Sequence, residues 1–406
     1  MFGERRDPAG VVVRRTQTSL ACAALAFAVV GGCASKKTVT IQAGDALVAD
    51  RHTTQPSTRP IRPARGVMEH QRAAFDADAL RQGHFRHTSL NDAHGGITLR
   101  DPRKDFPFTG TWQSDTIEPE FTFTELLPSW NATVPADAGV RFDVRVRDAK
   151  TAAWSPWLYI GYWGRVLRDQ RVIAFDGGKV ETDILELSRP ADAYEIRATL
   201  ESFRTAAPID SPILHRINVV ASRAAINETA TTQPARVTPI DLAVPFRAQG
   251  VEAESIRSSV CSPTSVTMVL AWAGTERATE ANCMAIWDDD YALFGNWNRA
   301  IQLAGTLGHE AYLERYSSMD NARATLAGGQ PIIASIRFKA GEFPSNLQKS
   351  TAGHLIVLRG IDADGDIICN DPASRDRGNG IIYKANELAV AWLKNTGGVG
   401  YIIKKK

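Results

Sequence analysis

The sequence predicts two folded domains, an all-β sandwich followed by an α+β domain. Three observations carry that reading. The 406 residues exceed what one ordinary core takes up, period-two alternation dominates the middle of the chain, and helical periodicity followed by apolar runs dominates its end. Hydrophobic residues make up 44% and charged residues 23%, the proportions of a soluble globular protein. Lys and Arg number 47 against 45 Asp and Glu, and no basic stripe with interleaved aromatics occurs, which excludes nucleic acid as an expected partner.

The chain opens on a targeting segment. Arg14 and Arg15 precede an apolar run from Leu20 to Val30, and Gly31-Gly32-Cys33 follows. That order of basic, apolar and small residues is a secretory signal peptide, too short to span a bilayer comfortably. The Cys after Val-Gly-Gly resembles a bacterial lipobox. Residues 1–33 are then the signal, and Cys33 becomes the lipidated first residue of the mature protein. The expected location follows: exported, and anchored by lipid to the bacterial cell membrane or outer membrane. An uncleaved anchor, or an ordinary signal peptide with a coincidental Cys, are the other readings.

Residues 34–104 read as a mostly disordered tether, because Thr53 to Arg65 is rich in Pro, Thr and Arg and short of apolar residues. Residues 105–222 read as the sandwich. Phe142, Val144 and Val146 alternate with charged residues, as do Val180, Thr182 and Ile184, and Tyr194, Ile196, Ala198 and Leu200. A second composition shift at Asn227 to Pro239 marks a linker over 223–240. In residues 241–406, Val266, Val269, Leu270 and Ala273 have amphipathic helical spacing, whereas Pro331 to Ile336 and Leu355 to Leu358 fit buried strands. Helices first and strands second describe an α+β domain.

Cysteine usage points to chemistry. Of five Cys, Cys22 and Cys33 fall in the signal, leaving Cys261, Cys283 and Cys369. An odd number in an exported protein implies a free thiol. Cys283 and Cys369 could pair, which leaves Cys261 alone. Cys261 begins a predicted helix, with Pro263 in the first turn. Unpaired N–H groups and the positive end of the macrodipole favour a thiolate there, the form that acts as nucleophile. A buried structural Cys at the same place is the bland alternative. Gly353-His354 opens an apolar strand and is a candidate base. An Asp364-Gly365 hairpin returns the chain to Asp371, a candidate to orient that base. Simple counting about this turn sets Asp371 opposite Leu358. Gln249, twelve residues before Cys261, offers an amide for an oxyanion hole, or else is a solvated loop residue.

In combination, Gln249, Cys261-Ser-Pro-Thr-Ser, Gly353-His354 and Asn370-Asp371-Pro372 resemble the papain-fold peptidases related to bacteriocin-leader processing enzymes, family thirty-nine of the cysteine peptidases. A Gly commonly follows the nucleophile in that family; here Ser262 does, in the manner of a secreted subgroup. Gly295-Asn296-Trp297 and Glu125-Leu-Leu-Pro-Ser-Trp-Asn131 also look like that subgroup. The resemblance implies a papain-like fold for residues 241–406, with Cys261 as nucleophile, His354 as base, Asp371 as third member and Gln249 as oxyanion donor. It implies a peptide or protein substrate and no metal or organic cofactor. Leader processing does not carry over, since no transporter bundle is present. The competing readings are a catalytically silent scaffold or envelope-binding protein and an amidase or acyltransferase with the same nucleophile.

Other signals are weaker. Asp362, Asp364 and Asp366 fit a hairpin turn better than a calcium loop. His309-Glu310 lacks a second His at zinc-protease spacing. Trp154, Trp157, Tyr159, Tyr162 and Trp163 suit sandwich and interdomain packing, with a sugar-stacking platform for a cell-envelope polymer as the alternative. Asn296 and Trp297 are candidates to line the substrate cleft, and equally a helix-start Asn before a core Trp.

Overall fold

The computed structural model describes residues 64–100, 108–167, 172–204, 211–225 and 237–406. The signal segment with Cys33, and residues 34–63 and 101–104 of the expected tether, lie outside the described residues. The N-terminal domain begins with β1 (Met68–Phe75), α1 (Ala77–Arg81), β2 (His84–Arg86), β3 (Thr88–Asn91), β4 (Gly96–Leu99) and β5 (Phe108–Gln113). It continues with β6 (Phe123–Thr133), β7 (Ala138–Asp148), β8 (Leu158–Gly164), β9 (Ala174–Phe175), β10 (Gly178–Glu181), β11 (Ile184–Ser202) and β12 (Ile213–Ala224).

Two layers share β11. Its first residues pair with β10 and β6, and its last six lie between β5 and β7. The register breaks around Ala191, one residue after Pro190, which has no N–H for a ladder. A strand that changes sheets at such a corner closes two layers into a near-barrel. The layers meet where Trp130 of β6 stacks on Phe142 of β7 at 4.0 Å. Val140, Val144, Ile196, Ala198, Ile217 and Val219 fill the same core, so the alternation predicted over Phe142 to Val146 and over Tyr194 to Leu200 marks its inward face, whereas the run Val180 to Ile184 is broken by a turn at Thr182 and Asp183, both at positive φ.

The all-β domain starts earlier than expected. Residues 68–99, assigned from sequence to the tether, form β1 to β4, and β1 pairs along its whole length with β12. In Met-Glu-His-Gln-Arg-Ala-Ala-Phe only Met68 is buried, so the strand carries little apolar signal and is specified by its partner.

The C-terminal domain runs β13 (Ile240–Asp241), α2 (Cys261–Trp272), α3 (Thr279–Ile286), α4 (Trp297–Thr306), β14 (Ala311–Arg315) and α5 (Met319–Ala327). Then come β15 (Ile332–Phe338), β16 (Thr351–Ile361), β17 (Ile367–Asn370), β18 (Ile381–Tyr383), α6 (Ala385–Ala389) and β19 (Val399–Ile403). The sheet order is β14-β19-β15-β16-β17-β18, with β13 on β16. Ile332, Ala334, Ile356 and Leu358 face one core with α5 and α6. Ile333, Leu355 and Val357 face the other, with α2 and α4. Strands covered on both faces explain the unbroken apolar runs.

The second core also contains Leu127, Ile184 and Val220 of the N-terminal domain. Strand β6 is two-faced: Leu126, Trp130 and Ala132 enter its own core, whereas Glu125, Leu127, Ser129 and Asn131 point at the C-terminal domain. Asn131 accepts from the Ala311 N–H at 3.2 Å and donates to the Ala311 carbonyl at 2.9 Å. Ser129 accepts from the Leu313 N–H at 3.1 Å, and Glu125 takes Arg315 as an ion-pair partner. Side chains of β6 thus satisfy the free edge of β14, which a sheet otherwise leaves open. In return, Gln302 of α4 bonds both the N–H and the carbonyl of Ala132, at 3.0 and 2.6 Å.

Of the aromatic run, Trp154 and Trp157 lie outside the sandwich core expected for them, and Tyr162 serves the interdomain packing. Arg145 lies over Trp154 and Trp157, at 4.8 and 5.0 Å, on the sandwich surface. Arg299 of α4 lies over Tyr162 at 4.7 Å, across the domain boundary.

Candidate active site

Cys261 is the first residue of α2, because Val260 before it has φ −108° and ψ 25° and ends the loop. The backbone N–H groups of Ser262 and Leu355 both donate to its sulfur. The rest of Cys-Ser-Pro-Thr-Ser fixes the helix. Thr264 Oγ1 donates to the Val260 carbonyl at 2.7 Å, and Ser265 Oγ donates to the Leu355 carbonyl at 3.1 Å. Ser262 Oγ lies 3.4 Å from the Tyr401 hydroxyl, under the helix.

His354 sits in β16 opposite Ile336, buried to 3% exposure. The hairpin register differs from simple counting. The pairs are Ile361 with Ile367 and Gly360 with Ile368, then, after an irregularity, Leu358 with Cys369 and Val357 with Asn370. The turn spans Asp362 to Asp366, whose carbonyl accepts the Asp362 N–H, and the bulge adds a further one-residue slip. Continued by one residue, this register sets Asp371 beside Ile356 rather than Leu358. His354 is then its diagonal neighbour on the same face, within reach of a long side chain.

The structure brings three of the four predicted catalytic residues together. His354 Nε2 donates to Asp371 Oδ1 at 2.7 Å, which leaves Nδ1 for the hydrogen bond between His354 and Cys261. Asp371 has no solvent exposure and is fully bonded: the Ala373 N–H reaches Oδ1 at 2.9 Å and the Tyr383 hydroxyl reaches Oδ2 at 2.5 Å. Burial disfavours the Cys261 thiolate, but the bonds from His354, Leu355 and Ser262 outweigh it and hold the thiol below its ordinary range. Burial also disfavours the imidazolium, yet Asp371 and the Cys261 sulfur raise His354 to about 10. For Asp371, burial opposes ionisation, and the imidazolium, the phenol and the Ala373 N–H overcome it and hold the carboxyl low. All three directions favour a thiolate–imidazolium–carboxylate line.

Gln249 is tied to the site through the backbone: its N–H donates to the Pro372 carbonyl at 3.0 Å, beside Asp371. Its side-chain Nε2 donates to the Arg257 carbonyl at 2.8 Å, within its own loop. Asn296 does not line a cleft. It is completely buried, caps α4 by accepting from the Asn298 N–H at 2.9 Å, and donates to Asp183 and Asp288 at 2.6 and 2.5 Å. Both halves of its amide are consumed, so the helix-start reading replaces the substrate-binding one. Trp297 is half-buried against the core that Cys261 also borders. Cys283 and Cys369 are buried free thiols in separate cores, with no bridge between them.

Sequence reasoning missed Tyr383. Its position after Ile381-Ile382 reads as an ordinary strand residue, and only the return of β18 onto β17 brings it under Asp371. It also missed the pairing of Ser265 with Leu355, although the one-turn spacing from Cys261 was available. Among the described residues, no group of three His, Cys, Asp or Glu is placed to hold a metal ion. Asp362 instead accepts the N–H groups of Asp364 and Asp366 at the hairpin, at 3.0 and 2.9 Å.

Comparison with known proteins follows the same division. Residues 241–399 match the Peptidase_C39 like family, and residues 67–222 match the Peptidase C39 N-terminal domain. A solved protein described as a C39-like peptidase from Bacillus anthracis aligns over 42% of this chain and 99% of its own, with 19% identity and a TM-score of 0.32. A double glycine motif protease from an AMS/PCAT transporter, in complex with the leader peptide, aligns over 43% of this chain and all of its own, with 21% identity and a TM-score of 0.29. No curated protein matches the chain. Through both domains, in that order, the chain is a relative of the C39 peptidase family.

Proposed function

We propose that the protein is an exported thiol hydrolase that cleaves peptide bonds through a covalent acyl-enzyme, its C-terminal domain being papain-like. One observation carries the reading: a sulfur at a helix head is hydrogen-bonded to an imidazole whose far nitrogen lies 2.7 Å from a buried carboxylate. The Cys261 thiolate attacks the substrate carbonyl, and the C–N bond breaks as the His354 imidazolium gives its proton to the leaving amine. Neutral His354 then takes a proton from water as the oxygen attacks the thioester. Release of the acid restores the thiolate–imidazolium pair. Asp371 keeps the imidazole oriented throughout and stabilises it whenever it carries the proton. The Cys261 N–H and the second amide N–H of Gln249 are the proposed oxyanion donors.

The same proposal places the mature protein on the bacterial cell membrane or outer membrane through a lipid at Cys33, with the sandwich bracing the catalytic domain. It is tested by comparing the cleavage of a peptide library by the purified mature protein and by its Cys261→Ala variant. A loss of at least about a thousandfold is expected. Equal cleavage overturns the catalytic reading, and products joined to an added amine turn it toward acyl transfer. An unmodified Cys33 in the mass spectrum of the membrane-extracted protein removes the anchor.

A further inference from the structure

We propose that Tyr383 is the positioning residue that holds Asp371 ionised and correctly turned, and so sets the acid end of the pH range in which Cys261 is reactive. The proposal rests on the thiol-hydrolase reading of the site and concerns a residue outside the triad.

The geometry is unequal at the two carboxylate oxygens. Oδ1 has two donors, His354 Nε2 at 2.7 Å and the Ala373 N–H at 2.9 Å. Oδ2 takes the Tyr383 hydroxyl at 2.5 Å, and no second donor to it appears among the described residues. A distance of 2.5 Å is that of a strong O–H···O⁻ bond. Both residues have no solvent exposure, so water does not replace the phenol if it is removed. Tyr383 is itself held: the Leu347 N–H donates to its oxygen, and the Phe343 ring packs edge-on at 5.0 Å. Leu347 and Phe343 belong to the segment between β15 and β16 that leads into His354. The phenol therefore joins the acid to the approach of the base.

Other charged groups around Asp371 do not take this part. Cys369, two residues before it, is a buried thiol held protonated by burial and by the carboxylate's own charge. Arg359 engages Asp241 and Asn370, not the Asp371 oxygens. His354 and Cys261 are the triad partners themselves. Without the phenol, Oδ2 becomes a buried oxygen with no donor. Protonation of the carboxyl then relieves the site, the imidazolium loses its counter-charge, and the thiolate retreats to higher pH.

The test is the rate of alkylation of Cys261 by iodoacetamide, followed by peptide mass spectrometry in the intact mature protein between pH 4 and 10. The native protein is expected to show an acid limb well below the ordinary thiol range. Tyr383→Phe should move that limb up by about one pH unit, making alkylation about tenfold slower on the limb and equal at the alkaline plateau. A Tyr383→Phe profile that superimposes on the native one overturns the role of Tyr383 and leaves the nucleophile reading standing. A native protein that titrates as an unassisted thiol, with a midpoint of about 8.5, removes both. Should Tyr383→Phe fail to fold, proton NMR of the native protein decides. A slowly exchanging, far-downfield Tyr383 hydroxyl resonance that is lost in Asp371→Asn supports the bond, and a resonance indifferent to Asp371→Asn overturns it.

Discussion

Ser265, one helical turn after Cys261, grips the carbonyl of Leu355 at 3.1 Å, while the N–H of the same Leu355 donates to the Cys261 sulfur. One residue of β16 therefore joins both ends of the first turn of α2, and His354 is the residue before it. The distance between the Cys261 sulfur and the His354 imidazole is set by this double attachment rather than by the two side chains alone. Replacing Ser265 with Ala should cost about 1 kcal/mol of stability from the lost buried bond. Activity should suffer more, with kcat down about tenfold and KM nearly unchanged, because small misplacement of reacting groups is expensive in rate. Steady-state kinetics beside a thermal melt check this. An unchanged kcat means packing alone holds the helix.

The proposed triad also predicts a shape for stability against pH. In the native state Cys261 is lowered and His354 is raised to about 10. Between the ordinary values of the two groups, about 6.5 and 8.5, the native ion pair and the unfolded thiol–imidazole pair carry the same number of protons, so stability is flat. Above that range the native state keeps the imidazolium proton that the unfolded chain has lost, and stability falls as pH rises through about 10. Below it the unfolded chain holds a thiol proton that the native state lacks, and stability falls as pH drops through the native thiol value. Cys261→Ala takes the thiol out of both proton counts and leaves Asp371 beside the imidazole, so its fall should begin at about 6.5, the unfolded imidazole value, instead of at about 8.5. Urea titrations from pH 5 to 10.5 measure it, and a variant whose stability stays flat from about 6.5 to 8.5 contradicts the raised imidazole.

Legibility of the sequence followed how local each determinant is. Cys261 at a helix head and His354 at the mouth of an apolar strand depend on their own neighbours, and both were readable. Asp371 was readable as a candidate, but its register was not, because a bulge between Leu358 and Gly360 leaves no mark in the residues. Tyr383 takes its role from the return of β18 onto β17, which brings it to Asp371, and Asn296 from Asp183 more than a hundred residues earlier. β1 failed for the same reason, since its pairing with β12 and not its own pattern makes it a strand. The Glu125-to-Asn131 motif was recognisable as a resemblance, while its physical meaning, alternate side chains capping the edge of β14, needed both domains.

That edge cap should govern how firmly the domains dock. Asn131→Ala leaves the Ala311 N–H and carbonyl without their side-chain partners, and Gln302→Ala takes its bonds from the Ala132 N–H and carbonyl, the carbonyl keeping only the longer one from Thr306 Oγ1 at 3.4 Å. Each is expected to cost about 2–4 kcal/mol, since two buried backbone groups lose a bond at once. Gly305 gives an independent approach to the same contact: a Cβ built there stands 2.7 Å from the Cβ of Asn131. Gly305→Ala should therefore push α4 from β6 and lower the melting temperature, although Ala is the better helix former. Melts of the three variants, with limited proteolysis across 223–240, check the set. A Gly305→Ala protein as stable as the parent shows that the interface yields freely there.

Asp183 makes the same interface sensitive to pH. It lies in the turn between β10 and β11 with φ +61°, is buried to 6% exposure, and shares the Asn296 amide with Asp288. Burial is the main cause that lifts its carboxyl to about 7; Asn296 and Arg299 oppose this, and Asp288 and Asp290 add to it. The neighbouring Tyr291 is also raised by burial and stays neutral across this range. A carboxyl raised in the native state binds a proton between pH 4 and 7 that the unfolded chain has released. Its contribution to stability is therefore complete below about 4 and is lost as pH rises through about 7. Asp183→Asn keeps the size, tolerates the left-handed backbone and retains an oxygen to accept from Asn296. It should remove this part of the slope, leaving the variant more stable than the parent at pH 8 and no more stable at pH 4. Melting curves of the two proteins at both pH values decide it: a difference that does not change between them means that Asp183 is ionised at both, held by Arg299 and Asn296 despite its burial.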